Sequence, residues 1–164
     1  MRSATRLFVL ALGLGLLAFA VSLVLRARQS RGLAPAPDAA TILSSAQLPR
    51  CPETPNCVSS QAADPLQVVE PFELDPSLDA APRDELERLL TVARDAGGVV
   101  VERVDGFAHL EFTSPLFGFV DDIYLLLDET GERIDIRSAS RVGSSDLGAN
   151  RERVETLRAA FQNF

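Results

Sequence analysis

The chain has 164 residues, 46% of them hydrophobic, enough for one domain of ordinary size beside a targeting segment. All 16 basic residues are arginine, which excludes Schiff-base, phosphate-loop and general-base chemistry that depends on lysine; a GC-rich bacterial genome is the preferred explanation of the bias. The net charge of −7 hides a stronger imbalance: from Leu33 onward eleven arginines face 23 acids, and a surface of that sign repels nucleic acid and anionic lipid.

Arg2 and Arg6 precede residues 7–25, an uncharged run in which Ser22 is the only polar side chain. A helix of that length spans about 28 Å, close to the roughly 30 Å hydrocarbon core of a bilayer. A cleaved signal peptide has a shorter core, about 7–15 residues, with a small-residue cleavage site close behind. Here the run continues into Arg26 and Arg28, and the nearest such site, Ala34-Pro35-Ala36, is followed by Pro37. An uncleaved signal anchor over 7–25 is therefore preferred, with residues 1–6 in the cytoplasm; secretion after cleavage is the alternative. Arginines on both flanks leave the orientation nearly balanced by charge alone. Residues 26–47, with Pro35 and Pro37, read as a flexible tether, and 48–164 as the soluble domain.

Cys51 and Cys57 enclose two prolines and an asparagine, a tight pre-bent loop. A zinc site needs about four ligands, and the one histidine, His109, stands in a distant strand, so no metal is expected. The spacing also differs from the redox Cys-x-x-Cys pattern. A structural disulfide is the preferred reading, and it persists only in an oxidising compartment. That places the domain in the periplasm or exterior, on a single-pass protein of the inner (plasma) membrane.

Residues 66–74 read as a short strand interrupted by Pro71. Residues 82–96 form a helix with Leu86, Leu89, Leu90 and Ala93 on one stripe, stopped by Gly97-Gly98. Two runs, 99–104 and 107–113, flank Asp105-Gly106 as a hairpin. A second pair, 119–127 and 133–138, flanks residues 129–131, and a helix from about Asn150 carries Val154, Leu157, Phe161 and Phe164 on one face. Short turns between consecutive strands imply antiparallel pairing. The expected fold is α+β: an antiparallel sheet of about five strands with two helices on one face, preceded by one transmembrane helix.

His109 falls on a strand face with Phe107 and Glu111, where a half-exposed structural residue is preferred over a base. Asp121 and Asp122 interrupt an apolar strand and point to opposite faces, so at least one needs a counter-charge from Arg137, Arg141 or Arg151. Residues 137–158 hold five arginines against three acids, while the rest of the domain from residue 33 holds six against 20. This basic island either neutralises internal carboxylates, the preferred reading, or binds an anion. Candidate ligand-binding residues are Arg137, Ser138, Ser140, Arg141, Asp146, Asn150, Arg151, Asp121 and Asp122. Asn150 is the expected N-cap of the last helix, where free N–H groups beside Arg151 suit an anion. Arg151 and Arg153 oppose the helix dipole there unless one reaches a carboxylate.

Cys51-Pro-x-x-Pro-Asn-Cys-Val-Ser-Ser60, Phe119-Val-Asp-Asp122 and Arg137-Ser-Ala-Ser-Arg-x-Gly-x-Ser-Asp-x-Gly-x-Asn-Arg-x-Arg-Val-Glu155 together resemble the domain of unknown function 1499 family. The resemblance spans the soluble domain and implies an envelope or membrane-associated location, with no assigned activity. The expected function is a membrane-tethered, non-catalytic module of the cell envelope that binds a small anionic molecule or an envelope protein, with no cofactor. The alternative is an enzyme on a phosphoester or carboxylate substrate, with Arg137, Arg141 and Arg151 as a clamp and Asp121 or Asp146 as acid–base; no nucleophile, metal set or cofactor motif supports it.

Overall fold

A computed structural model describes residues 2–33, 38–75 and 80–163, the side chains of residues 2–10 excepted. The elements in chain order are α1 (Arg2–Gly32), α2 (Ala39–Ser45), β1 (Cys57–Ser59), β2 (Phe72–Glu73), α3 (Pro82–Asp95), β3 (Val99–Val104), β4 (Phe107–Thr113), β5 (Val120–Leu127), β6 (Arg133–Ser140) and α4 (Ala149–Gln162). The sheet is antiparallel in the order β1-β6-β5-β4-β3, and β2 shares the outer edge of β6 with β1. The strand expected over 66–74 is thus broken up. Val68 makes only an isolated bridge to Ser59, and pairing resumes at Phe72, just after Pro71, which has no N–H to give. The short strand β1, within the cysteine motif, was not expected.

Helices α3 and α4 lie on one face of the sheet. The expected stripes are buried: Leu86, Leu89, Leu90 and Ala93 from α3, and Val154, Leu157 and Phe161 from α4. They pack with Ala108, Leu110, Phe112, Ile123, Leu125, Ile134 and Ile136, the inward-facing residues of three strands. Each large side chain buried there contributes about 1.5–3 kcal/mol. Phe164 lies outside the described residues.

The other face of the sheet is also covered, which patterning did not foresee. Over the expected tether, α1 continues to Gly32 and α2 packs Ala39 and Ile42, with Leu48, onto Phe107, Tyr124 and Leu126. Asp38 caps α2 by accepting from the Thr41 N–H at 2.9 Å. At the end of α1, Ala27 and Ser30 are buried. The Ser30 hydroxyl accepts from the Val120 N–H at 3.1 Å, and Arg31 Nε donates to the Gly118 carbonyl at 3.2 Å. The segments 26–33 and 38–47 are therefore largely helical and carry side chains docked on the sheet. Residues 34–37, which hold the Ala34-Pro35-Ala36 sequence, lie outside the described residues.

In α1 the stretch Ala11–Gly32 is long and apolar enough to cross a membrane. Its side chains from Ala11 to Ser22 are exposed, as in a span or a signal sequence and unlike the core helix of a globular domain.

Candidate functional site

Strand alternation divides the candidate residues between the two faces of the sheet. On the helix-bearing face, Asp121 Oδ2 accepts from Arg153 Nη2 at 2.7 Å. The same guanidinium donates through Nη1 to Asn150 Oδ1 at 2.7 Å and to Ser138 Oγ at 3.1 Å. Asn150 is fully buried in the first turn of α4. Its Nδ2 donates to Asp146 Oδ2, to Ser140 Oγ and to the Asn56 carbonyl at 2.8, 3.0 and 3.1 Å. The N-cap of α4 is Gly148, at φ +86°, rather than Asn150. Asp146 does the capping: its carboxylate accepts from the Gly148 and Asn150 N–H groups at 3.0 and 2.8 Å. Burial alone would raise its pKa, but these hydrogen bonds, Asn150 first, hold it below the usual carboxylate range.

The same network reaches the cysteine loop. Cys51 and Cys57 form a disulfide with Cα atoms 5.6 Å apart, and between them Asn56 donates to the Gly143 carbonyl at 2.8 Å. Asn56 Oδ1 accepts from the Thr54 hydroxyl at 2.7 Å. Two motifs nearly a hundred residues apart in sequence, paired through β1 and β6, are thus joined further by two asparagines, Asn56 and Asn150.

On the opposite face, His109, Glu111, Asp122, Tyr124, Arg137 and Arg141 gather. Glu111 and Asp122 stand directly across from one another on β4 and β5, an arrangement that like charges disfavour. Arg141 resolves it: Nε donates to Asp122 Oδ2 at 2.8 Å, Nη2 to Asp122 Oδ1 at 2.6 Å, and Nη2 also to Glu111. Its Nη1 reaches the Ser30 carbonyl at 3.3 Å, which ties the network to α1. His109 Nε2 lies 2.7 Å from Asp122 Oδ1, and the ionised carboxylate can only accept, so this nitrogen carries the proton. Burial pushes the Asp122 pKa upward, but the hydrogen bonds from His109 and Arg141, with Arg141's charge, outweigh it and leave it lowered. The Arg141 pKa is raised, chiefly by its hydrogen bond to Asp122.

His109 is buried rather than half-exposed, because α1 and α2 cover the face expected to meet solvent. Its ring stacks on Tyr124, 4.8 Å between centroids. Burial, then the Asp122 charge, pushes the Tyr124 hydroxyl up to about 12.

The basic island is mostly an internal network. Asp122 pairs with Arg141, as expected for at least one of the two acids, and Asp121 pairs with Arg153, which the candidate set omitted. Arg153, at the start of the second turn of α4, reaches a carboxylate, and Arg151 in the first turn does not. Arg151 donates instead to the Leu66 and Val68 carbonyls, both at 2.8 Å. Arg158 donates to the Pro71 and Glu70 carbonyls. Ser138, Ser140, Asp146, Asn150 and Asp121 come together on the helix side, Asp122, Arg137 and Arg141 on the other, and Arg151 stands apart. Glu111 was also omitted; its parity with His109 and its register opposite Asp122 were the available signals.

Arg137 is the exception. It shares a face with Tyr124, its cross-strand neighbour, with its Cζ 5.8 Å from the ring centroid. Its Nε is buried without a hydrogen-bond partner among the described residues. Asp135, the nearest carboxylate along that face of β6, is already bonded by Ser60 and Gln61, at 2.7 and 2.8 Å. Burial lowers the Arg137 pKa, with the charges of Tyr124 and Asp122 opposing. No group of three or more histidine, cysteine, aspartate or glutamate side chains suited to a metal ion occurs among the described residues.

These features define an α+β domain with an antiparallel sheet covered on both faces and a buried ion-pair network on each. The chain belongs to the family described as protein of unknown function, DUF1499, whose model matches residues 47–161. No curated protein and no solved structure shows significant similarity to it.

Proposed function

We propose that this protein is a single-pass, membrane-tethered module of the cell envelope whose domain lies outside the cytoplasm and binds a small anionic ligand at Arg137. The observation that supports the binding role is the buried Nε of that guanidinium, which has no hydrogen-bond partner among the described residues. Arginine stays charged in proteins, and a buried N–H without a hydrogen bond is costly. Its island neighbours Arg141, Arg153 and Arg158 pair with carboxylates, and Arg151 donates to backbone carbonyls. A carboxylate or phosphate there would accept the Nε–H and lie beside Tyr124 and His109. The enzymatic alternative has less support: its clamp of Arg137, Arg141 and Arg151 does not converge, and Asp121 and Asp146 are bonded within the helix-side network.

The anchor reading is supported by α1, and the outward-facing domain by the Cys51–Cys57 disulfide. Fusion of alkaline phosphatase after Phe164 tests the side: high activity is expected, and fluorescence from a cytoplasm-only reporter would refute it. The ligand is tested by thermal denaturation of the full chain with inorganic phosphate and with acetate. Stabilisation that rises with anion concentration and is absent in Arg137→Gln supports the site. An equal response in wild type and variant, or none in either, sinks it.

A further inference from the structure

Outside α1, the most exposed large apolar side chains among the described residues are Leu147, Leu66 and Leu116, at 98%, 85% and 79%. A single exposed leucine needs no explanation. These three, however, collect at one end of the sheet. Leu116 lies in the loop from β4 to β5 and Leu147 in the loop from β6 to α4. Because Asp121 pairs with Ser140, the two loops leave the sheet side by side. Leu66 joins them through Arg151, in the first turn of α4, which donates to the Leu66 carbonyl. The loop of residues 114–119, Ser-Pro-Leu-Phe-Gly-Phe, carries no charge. Leu147 holds φ +56°, a left-handed conformation that costs a non-glycine residue about 1–2 kcal/mol, and at this exposure no packing within the domain offsets it.

The apolar helix departs from the same end. Ser30 and Arg31 are bonded to Val120 and Gly118, at the start of β5 and in the loop just before it. Arg31 is six residues past Leu25, or about 9 Å along the helix axis. That distance brings Gly118 to the outer edge of the headgroup layer, which is roughly 5–8 Å thick on each side of the core. Leu116, two residues from Gly118, is within reach of the layer.

We propose that this end of the domain, with Leu116 and Phe117 beside Leu147 and with Leu66 at the rim, rests in the headgroup region of the bilayer from which α1 emerges. The inference depends on the reading of α1 as an uncleaved span. The contact is apolar, so the acidic balance of the domain does not oppose it on zwitterionic lipid. The exposed Arg26 and Arg28 stand at the level of the lipid phosphates. Anchor and domain then hold one fixed orientation, with the β5–β6 turn pointing away from the membrane.

The chain has no tryptophan, so single reporters are clean. Leu116→Trp, Leu147→Trp and Glu129→Trp are each placed in the full-length protein and reconstituted into phosphatidylcholine nanodiscs, with or without bromine on the acyl chains. Glu129 lies in the β5–β6 turn, about 23 Å away along the strand, and serves as the distal control. Bromolipid is expected to quench positions 116 and 147 several-fold more than 129, with blue-shifted emission. Incorporated protein whose positions 116 and 147 are quenched no more than 129 overturns the inference and leaves the anchor standing. A second copy of the chain covering these leucines would give that same unquenched result. Protein that fails to enter the discs, or whose N-terminus has been cut near Pro37, removes the anchor itself and the inference with it.

Discussion

Replacing Arg141 by glutamine would remove the cation held between two carboxylates that face each other across β4 and β5. The Arg141 and Asp122 side chains are 5% and 9% exposed, whereas Glu111 is 30% exposed. The loss should therefore fall mainly on Asp122, left buried with His109 as its remaining partner, and Glu111 should contribute little beyond screened repulsion. Breaking a buried pair from one side costs about 3–5 kcal/mol, a large share of the roughly 5–15 kcal/mol that holds a domain together. Arg141→Lys keeps the charge but loses the fork that spans both Asp122 oxygens, so it should fall between wild type and glutamine. The assay is urea denaturation of the detergent-solubilised chain followed by far-ultraviolet circular dichroism, in a double-mutant cycle with Asp122→Asn. The double variant should lose less than the sum of the singles by about 2–3 kcal/mol. A loss under about 1 kcal/mol for Arg141→Gln, with additive effects, would put the pair at the level of an exposed ion pair and refute the reasoning.

Acid should unfold the domain partly through Asp122. Its folded-state pKa lies below the unfolded value of about 3.9, so its contribution is fully present above that value and is lost as pH falls through the folded pKa. Asp122→Asn should flatten the decline in stability on the acid side in a pH series of urea midpoints; an unchanged slope would count against it. Reducing Cys51–Cys57 should cost about 2 kcal/mol, less whatever Pro52 and Pro55 already restrict, read as a drop in urea midpoint with reductant. Gly98→Ala would place a methyl 2.7 Å from the Phe112 ring and 2.8 Å from the Ala93 carbonyl, and should lose about 1–3 kcal/mol; a neutral result would show that the helix end yields.

Period and turn chemistry made most of the fold legible. The stripe of α3 is 3.6-periodic and closes on Gly97-Gly98, the β3–β4 turn is Asp105-Gly106, and Asp121-Asp122 announces charge on both faces of β5. What escaped was the second cover of the sheet. A segment holding Pro35 and Pro37 has the composition of a linker, yet Ile42 and Leu48 are apolar residues that find a partner only when the sheet's far face is also apolar, at Phe107, Tyr124 and Leu126. That long-range match is invisible to local pattern, and with it went the burial of His109. In the polar motif of residues 137–155 the density of fixed groups was plain, but which group faces which side follows from register. Ser138 and Ser140 turn toward α4, while Arg137 turns the other way with Arg141 beyond it.

The two networks use the same physical device with different consequences. Each seats a carboxylate of an apolar strand against an arginine that is itself held by further polar groups, and each fastens a remote segment: the cysteine loop through Asn56, and the end of α1 through Ser30. Such groups satisfy one another and need no ligand, which accounts for most of the island by stability alone. Arg137 lies outside that economy. Removing its charge should relieve a desolvation cost rather than break a pair, so Arg137→Leu should leave stability unchanged or raise it, opposite in sign to Arg141→Gln. Urea midpoints of the two variants, measured without added anion, decide the point. A loss of several kcal/mol in Arg137→Leu would mean that the guanidinium already has a structural partner, and the case for an anion beside Tyr124 would fall.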